Sequence, residues 1–255
     1  MTGRPRPLVF AHRGGADALP EHTLGAYLRA LEDGADGLEC DVRMTRDGHL
    51  VCVHDRRLVR TSNGRGRVST KTLAELDALD FGSWHHTAAE QRLLTLERLL
   101  DAVLDHGRPM RLLIETKHPT RYGPEVERCL VELLRQRGLD RPGPDDPVRV
   151  TVMSFSALAL RRIRLLAPHV PTVFLFEILH PLVRRGKLPF GTGIAGPGVE
   201  LLRTRPGLVA ALRAAGHEVF VWTVNHEADV DLVLGLDVDG VISDRPRFVL
   251  DRLNV

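Results

Sequence analysis

Cysteine is scarce in this chain of 255 residues, occurring only as Cys40, Cys52 and Cys129. An odd number, two of them in apolar strand-like contexts, excludes a disulfide framework and predicts free thiols in a reducing compartment. Long apolar runs are missing too. No stretch reaches the roughly 18 consecutive apolar residues of a membrane span, and the opening MTGRPRPLVF has no apolar core of a secretory signal. A cytoplasmic protein without stable membrane insertion is therefore expected. Charge of one sign is lacking as well: the formal net charge is +2 and aromatics make up 5%. With no basic stripe interleaved with aromatic rings, nucleic acid is excluded as a partner. Lysine is confined to Lys71, Lys117 and Lys187, so arginine carries nearly all the positive charge, which reads as genomic base composition and not as chemistry. No repeat of 20–50 residues and no low-complexity tract is present.

What is present is a globular composition, 43% hydrophobic and 27% charged, in a chain long enough to bury a large core. Apolar runs near Leu8, Leu38, Leu112, Val150, Thr172, Gly193, Val219 and Gly240 read as eight strands, the one at 193–195 the weakest. Helical patterns separate most of them, at 24–32, 96–105, 124–137, 158–166 and 208–215. Eight strands alternating with helices is what a closed (β/α)8 TIM barrel needs. One domain, 1–255, is expected, with a small insertion after the second strand at about 56–94. There periodicity weakens: Asn63-Gly64-Arg65-Gly66 reads as a turn and Thr72-x-x-Glu75 as a capping box. So long a connection is expected to be functional.

The chain is organised around GLECDVRMTRDGHLVCVHD, residues 37–55. It reads as a buried strand, an Asp47-Gly48 turn, and a returning strand that delivers His54 and Asp55. Alternation puts Glu39 and Asp41 on one face and Leu38, Cys40 and Val42 on the other. Two carboxylates side by side call for a cation or a shared proton, and a hard divalent ion is the usual answer. An exposed, salt-bridged strand is the competing reading.

Active sites of such barrels sit at the C-terminal strand ends. The polar residues there are His12 and Arg13, Glu39 and Asp41, Glu115 and Lys117, Ser154, Trp222 and Asn225, and Ser243 and Asp244. Glu39, Asp41 and Glu115 supply a hard-cation site, Arg13 and Lys117 positive charge for a phosphate, and His12 and His54 a general acid and base near neutral pH. Together they describe metal-assisted hydrolysis of a phosphodiester. Simpler readings stand beside each part. Glu115 and Lys117, in phase on one strand, could pair only with each other. Trp222 serves core packing or a substrate wall, and Ser154 could satisfy loop backbone. Asp244, before Arg245-Pro246, reads best as a helix cap. Of the twelve histidines, His22, His85, His86, His106, His169, His180, His217 and His226 are expected on the solvated surface.

These motifs resemble those of the glycerophosphodiester phosphodiesterases, (β/α)8 relatives of the phosphatidylinositol-specific phospholipases C. The resemblance rests on His12-Arg13-Gly14 with Pro20-Glu21-x-Thr23, Glu39-x-Asp41, and Asp47-Gly48 leading to His54-Asp55. Thr95-Leu96, Ile114-Glu115-x-Lys117, Ser154-Phe155, Trp222-Thr223-Val224-Asn225 and the segment from Gly240 to Pro246 extend it over nearly the whole chain. It implies hydrolysis of small glycerophosphodiesters to glycerol 3-phosphate and an alcohol, with one bound Ca2+ or Mg2+. Glu39, Asp41 and Glu115 would hold the metal and His12 and His54 would form the acid–base pair. Arg13 and Lys117 would bind phosphate, Trp222 would line the substrate site, and the insertion would cover the mouth. Attack by the glycerol 2-hydroxyl through a cyclic phosphate and direct attack by water both fit. Two other activities stay open: a lysophospholipase D-type enzyme for larger lipids, and a non-catalytic phosphodiester-binding barrel. One departure stands out, His22 where the family usually has Asn.

Overall fold

A computed structural model describes residues 5–87, 90–143 and 145–253. Part of the N-terminal stretch (1–4) and residues 88 and 89 of the expected insertion lie outside the described residues. The strands are β1 (Leu8–Ala11), β2 (Gly37–Met44), β3 (Leu50–Cys52), β4 (Met110–Thr116), β5 (Val148–Ser154), β6 (Thr172–Phe176), β7 (Ile194–Pro197), β8 (Glu218–Val221) and β9 (Gly240–Ser243). All but β3 are parallel, in the order β1-β9-β8-β7-β6-β5-β4-β2, and β1 pairs with β2 to close the barrel. Val42 explains why β3 stays outside the ring. It pairs with Thr116 of β4 on one edge and with Cys52 on the other, so β3 extends β2 beyond the point where β1 has ended.

The helices are α1 (Leu24–Glu32), α2 (Leu73–Asp77), α3 (Leu96–Asp105), α4 (Glu125–Gln136), α5 (Ala157–Leu166), α6 (Val199–Thr204), α7 (Gly207–Ala214), α8 (Glu227–Gly235) and α9 (Pro246–Arg252). Hydroxyl caps start several of them. Thr23, Thr95 and Ser156 accept from backbone N–H groups three residues on, and Thr72 with Glu75 forms the expected capping box. Helix α6 has no counterpart in the sequence reading, because six residues cut off by Arg205-Pro206 are too few to show a helical period. Strand β8 stops at Val221, and beyond it a bridge joins Trp222 to Gly198. Strand β7 runs later than expected, Ile194–Pro197 and not 193–195.

Strand alternation divides the core. Side chains of one phase, including Phe10, Leu113, Met153, Leu175, Phe220 and Ile242, fill the inside of the barrel. Those of the other phase, such as Leu38, Cys40 and Val42, pack beneath the helices. The bulk of Phe10 demands gaps opposite. A Cβ on Gly37 would meet the Phe10 ring at 2.8 Å and the Arg111 carbonyl at 2.3 Å, and one on Gly240 would meet Phe220 at 2.8 Å. The segment between β3 and α3 has an apolar cluster of its own, Leu58, Val68, Leu76, Phe81 and Leu93 with Val51 and Val53.

Candidate active site

Following the inward phase of each strand towards its C-terminal end turns an apolar layer into a polar one. Phe10 gives way to His12, Leu113 to Glu115 and Lys117, Leu175 to Glu177, and Ile242 to Asp244. These ends surround a cavity of about 170 Å3 whose walls include His12, Arg13, Glu39, His54, Glu115, Lys117, Phe155, Glu177 and Trp222.

At its base, Glu39, Asp41 and Glu115 are buried, and each offers an oxygen within 4.8 Å of the others. Lys117 Nζ lies 2.9 Å from Glu115 Oε1 and 3.3 Å from Asp41 Oδ1. The Glu115–Lys117 pair is thus real, but it also faces Asp41 and the cavity. Arg13 donates its backbone N–H to Glu39 Oε2 at 3.1 Å, and its guanidinium Nε stands 3.2 Å from Asp41 Oδ2 without an aligned hydrogen bond.

The three carboxylates divide by environment. Burial, reinforced by Asp41 and Glu115, holds the Glu39 carboxyl well above its ordinary range. Glu115 is pushed up to about 8 by burial and by Asp41, against the pull of Lys117. Asp41 goes the other way: although burial opposes it, a hydrogen bond from His22 and the charges of Lys117 and Arg13 hold it well below the usual range. Three buried oxygen donors whose ionised forms repel one another form a donor set that suits a hard divalent cation, because such an ion would offset both the burial and the mutual repulsion that raise Glu39 and Glu115.

Each candidate imidazole is gripped at Nδ1 by a carboxylate. His12 Nδ1 lies 2.6 Å from Asp244 Oδ1, with Nε2 4.0 Å from Glu39 Oε2. Asp244 is fixed in turn: Asn225 donates to its Oδ2 at 2.6 Å and accepts its backbone N–H at 2.9 Å. Its carboxyl is held low by His12 and Asn225, which overcome its burial. This corrects the helix-cap reading. Arg245 occupies the cap position of α9, no side chain caps that helix, and Asp244 belongs to the inward phase of β9.

His54 Nδ1 lies 2.7 Å from Asp55 Oδ1, and Arg60 donates to Asp55 Oδ2 at 2.7 Å and to both oxygens of Glu21 at 2.7 and 2.8 Å. Burial, with the nearby charges of Arg13 and Lys117, lowers His54 to about 4 in spite of Asp41 and Asp55. Asp55 falls to about 2; its burial is outweighed by Arg60 and His54. Arg60 thereby ties the segment after β3 to the loop after β1.

His22 and His85 correct the surface expectation, at 5% and 8% exposed. His85 packs edge-on against Trp84, its Nδ1 3.0 Å from Thr87 Oγ1. His22 supports the carboxylate cluster: Nε2 is 3.0 Å from Asp41 Oδ2 and Nδ1 is 2.7 Å from the Tyr27 hydroxyl. Its φ of +59° lies in the left-handed region, which Asn and His tolerate better than most residues and which accounts for this exchange. Ser154 donates to Thr116 O and accepts from Ser156 N–H, satisfying backbone as one reading had it. Glu177 went unnoticed in the sequence; the available signal was its position two residues beyond inward Leu175.

Residues 12–248 match the family model "Glycerophosphoryl diester phosphodiesterase family". A Mycobacterium tuberculosis protein named probable glycerophosphodiester phosphodiesterase 1 is 47% identical over 94% of this chain and 90% of its own length. A glycerophosphodiester phosphodiesterase of Caldanaerobacter subterraneus subsp. tengcongensis is 32% identical over 96% of this chain and 97% of its own. Among solved structures, an Oleispira antarctica phosphodiesterase in complex with the product sn-glycerol-3-phosphate superposes with a TM-score of 0.86. It is 27% identical and the match covers 98% of this chain and 97% of that one. With this coverage, the chain belongs to the glycerophosphoryl diester phosphodiesterase family of phosphoric diester hydrolases.

Proposed function

We propose that this protein hydrolyses glycerophosphodiesters to glycerol 3-phosphate and an alcohol, with His12 and His54 as the acid–base pair. The observation that carries the reading is the pair of imidazoles, each tethered at Nδ1 by a carboxylate with Nε2 left for proton transfer, beside a three-carboxylate cluster and two cations. Tethering at Nδ1 selects the tautomer and stabilises the charged ring when it holds a proton. One histidine removes a proton from the attacking oxygen and the other protonates the leaving alcohol. Arg13 and Lys117 bind the non-bridging phosphate oxygens, and Trp222 forms a wall of the substrate site.

Glu39, Asp41 and Glu115 hold one divalent cation, Ca2+ or Mg2+. When bound, it neutralises phosphate charge and acidifies a neighbouring oxygen. The chain acts as one barrel domain, with the 56–94 insertion over the mouth meeting the glycerol end. The free thiols at Cys40, Cys52 and Cys129 support a cytoplasmic setting.

The test is release of glycerol 3-phosphate from glycerophosphocholine and glycerophosphoglycerol by purified protein, with EDTA, Ca2+ or Mg2+ in parallel. Turnover abolished by EDTA and restored by one metal is the expected result. No release with either substrate and either metal overturns the reading, and release insensitive to EDTA removes the cation from it.

A further inference from the structure

The walls of the cavity differ in kind. Strands β1, β2 and β4 and the residues just beyond them supply the imidazole, carboxylates and cations already described, whereas β5, β6 and β8 are followed directly by Phe155, Glu177 and Trp222. In the strand order β6 stands diametrically across the ring from β1, so Glu177 lies on the far side of the cavity from His12. The indole of Trp222 is fixed by donation from Nε1 to Gly196 O at 2.8 Å. Phe155 meets it edge-on, with centroids 5.3 Å apart and planes at 83°. Trp222 Cζ2 and Glu177 Cγ lie 3.6 and 3.8 Å from the point that a Cβ on Gly198 would occupy, so both side chains border the gap that this glycine leaves, and both line the cavity. Glu177 has no hydrogen-bond or ion-pair partner among the described residues, while Arg13 and Lys117 are held by other carboxylates.

We infer that this wall seats the alcohol of the diester and selects an alcohol that carries positive charge, an ammonium or quaternary ammonium group. The inference rests on the diesterase reading above and adds a subsite with a specificity residue. Aromatic faces attract cations, most strongly the weakly hydrated quaternary ones, and a neighbouring carboxylate adds charge compensation. A neutral polyol in the same place leaves the Glu177 carboxylate uncompensated next to an incoming phosphate, and an anionic alcohol is repelled by it.

Two measurements test this on the intact protein. In the first, kcat/KM is compared for glycerophosphocholine, glycerophosphoethanolamine and glycerophosphoglycerol. The wild type favours the two cationic esters, and Glu177→Gln reduces the ratio of either cationic ester to the glycerol ester by about tenfold, with Glu177→Lys reducing it further. An unchanged ratio, or an equal loss on all three, overturns the inference and leaves the diesterase reading intact. In the second, choline chloride and tetramethylammonium are titrated against tryptophan fluorescence, with glycerol and NaCl as controls and Trp222→Phe to identify the reporting ring. Saturable quenching that weakens about tenfold in Glu177→Gln supports the subsite even if no diester is turned over. No quenching by either cation beyond the NaCl control overturns it.

Discussion

His12 Nδ1 and the Asp244 carboxylate are 2.6 Å apart although 232 positions separate them in the chain. The contact joins the first and last strands of the barrel, which pair from Leu8↔Gly240 to Ala11↔Ser243, so closure of the barrel also orients the imidazole. Replacing Asp244 by Asn keeps the shape and the Asn225 contact but removes the charge that favours Nδ1–H. The expected result is a fall in kcat of about 10–100-fold with a smaller change in KM, read by steady-state kinetics. A kcat within about twofold of wild type removes Asp244 from the positioning of His12.

The same carboxylate makes stability depend on pH. Its folded pKa is depressed, so the unfolded chain binds the proton more tightly. The stabilisation is fully present above the ordinary carboxylate value of about 4 and is lost as pH falls through the folded value. Urea unfolding of wild type and Asp244→Asn therefore diverges most at pH 7, and the gap narrows from about pH 4 downward. A gap independent of pH contradicts the assignment.

His12→Ala and His54→Ala are each expected to lower kcat/KM at least about 100-fold, since a general acid or base supplies roughly that much or more. Far-UV circular dichroism of both stays native, because the two rings lie at the mouth and not in the packed layers. More than about a tenth of wild-type activity in either variant rules that histidine out of proton transfer.

A divalent cation bound among Glu39, Asp41 and Glu115 would relieve the repulsion within that cluster. Saturating Ca2+ or Mg2+ is expected to raise the melting temperature by about 5–10 °C, corresponding to a few kcal/mol of binding in a chain of this size. NaCl at equal ionic strength gives no such rise, and Glu39→Gln diminishes it. A melting temperature indifferent to both ions in the wild type argues against a bound metal.

His22 joins a strained backbone position to the cluster. Alanine there loses the hydrogen bond to Asp41, leaves the Tyr27 hydroxyl without its ring partner and sits badly at positive φ, for a cost of about 2–4 kcal/mol. Asparagine tolerates that φ and can donate to Asp41, so it costs roughly half as much. Denaturant melts of the two variants decide the point: equal losses would mean that neither backbone strain nor the Asp41 bond matters at residue 22.

Local signals in the sequence determined much of this protein. The period-two pattern around Glu39 and Asp41, the Asp47-Gly48 turn, and the capping box of Thr72 and Glu75 depend on neighbours a few residues away, so they are legible before folding. Strand count and the inward phase follow from the same periodicity, and with them the placing of His12, Glu115 and Lys117 at one mouth. Only the tertiary structure decided what depends on contacts between distant strands. Asp244 reads locally as a helix cap and becomes the partner of His12 because β1 and β9 are neighbours in the closed ring. His22 reads as one more surface histidine, yet the loop after β1 folds it down onto Asp41. Glu177, just past the end of β6, shares a cavity wall with Trp222 only because β6, β7 and β8 lie side by side. Charge and burial at such positions are set by packing, and no local pattern encodes which strands will share a wall.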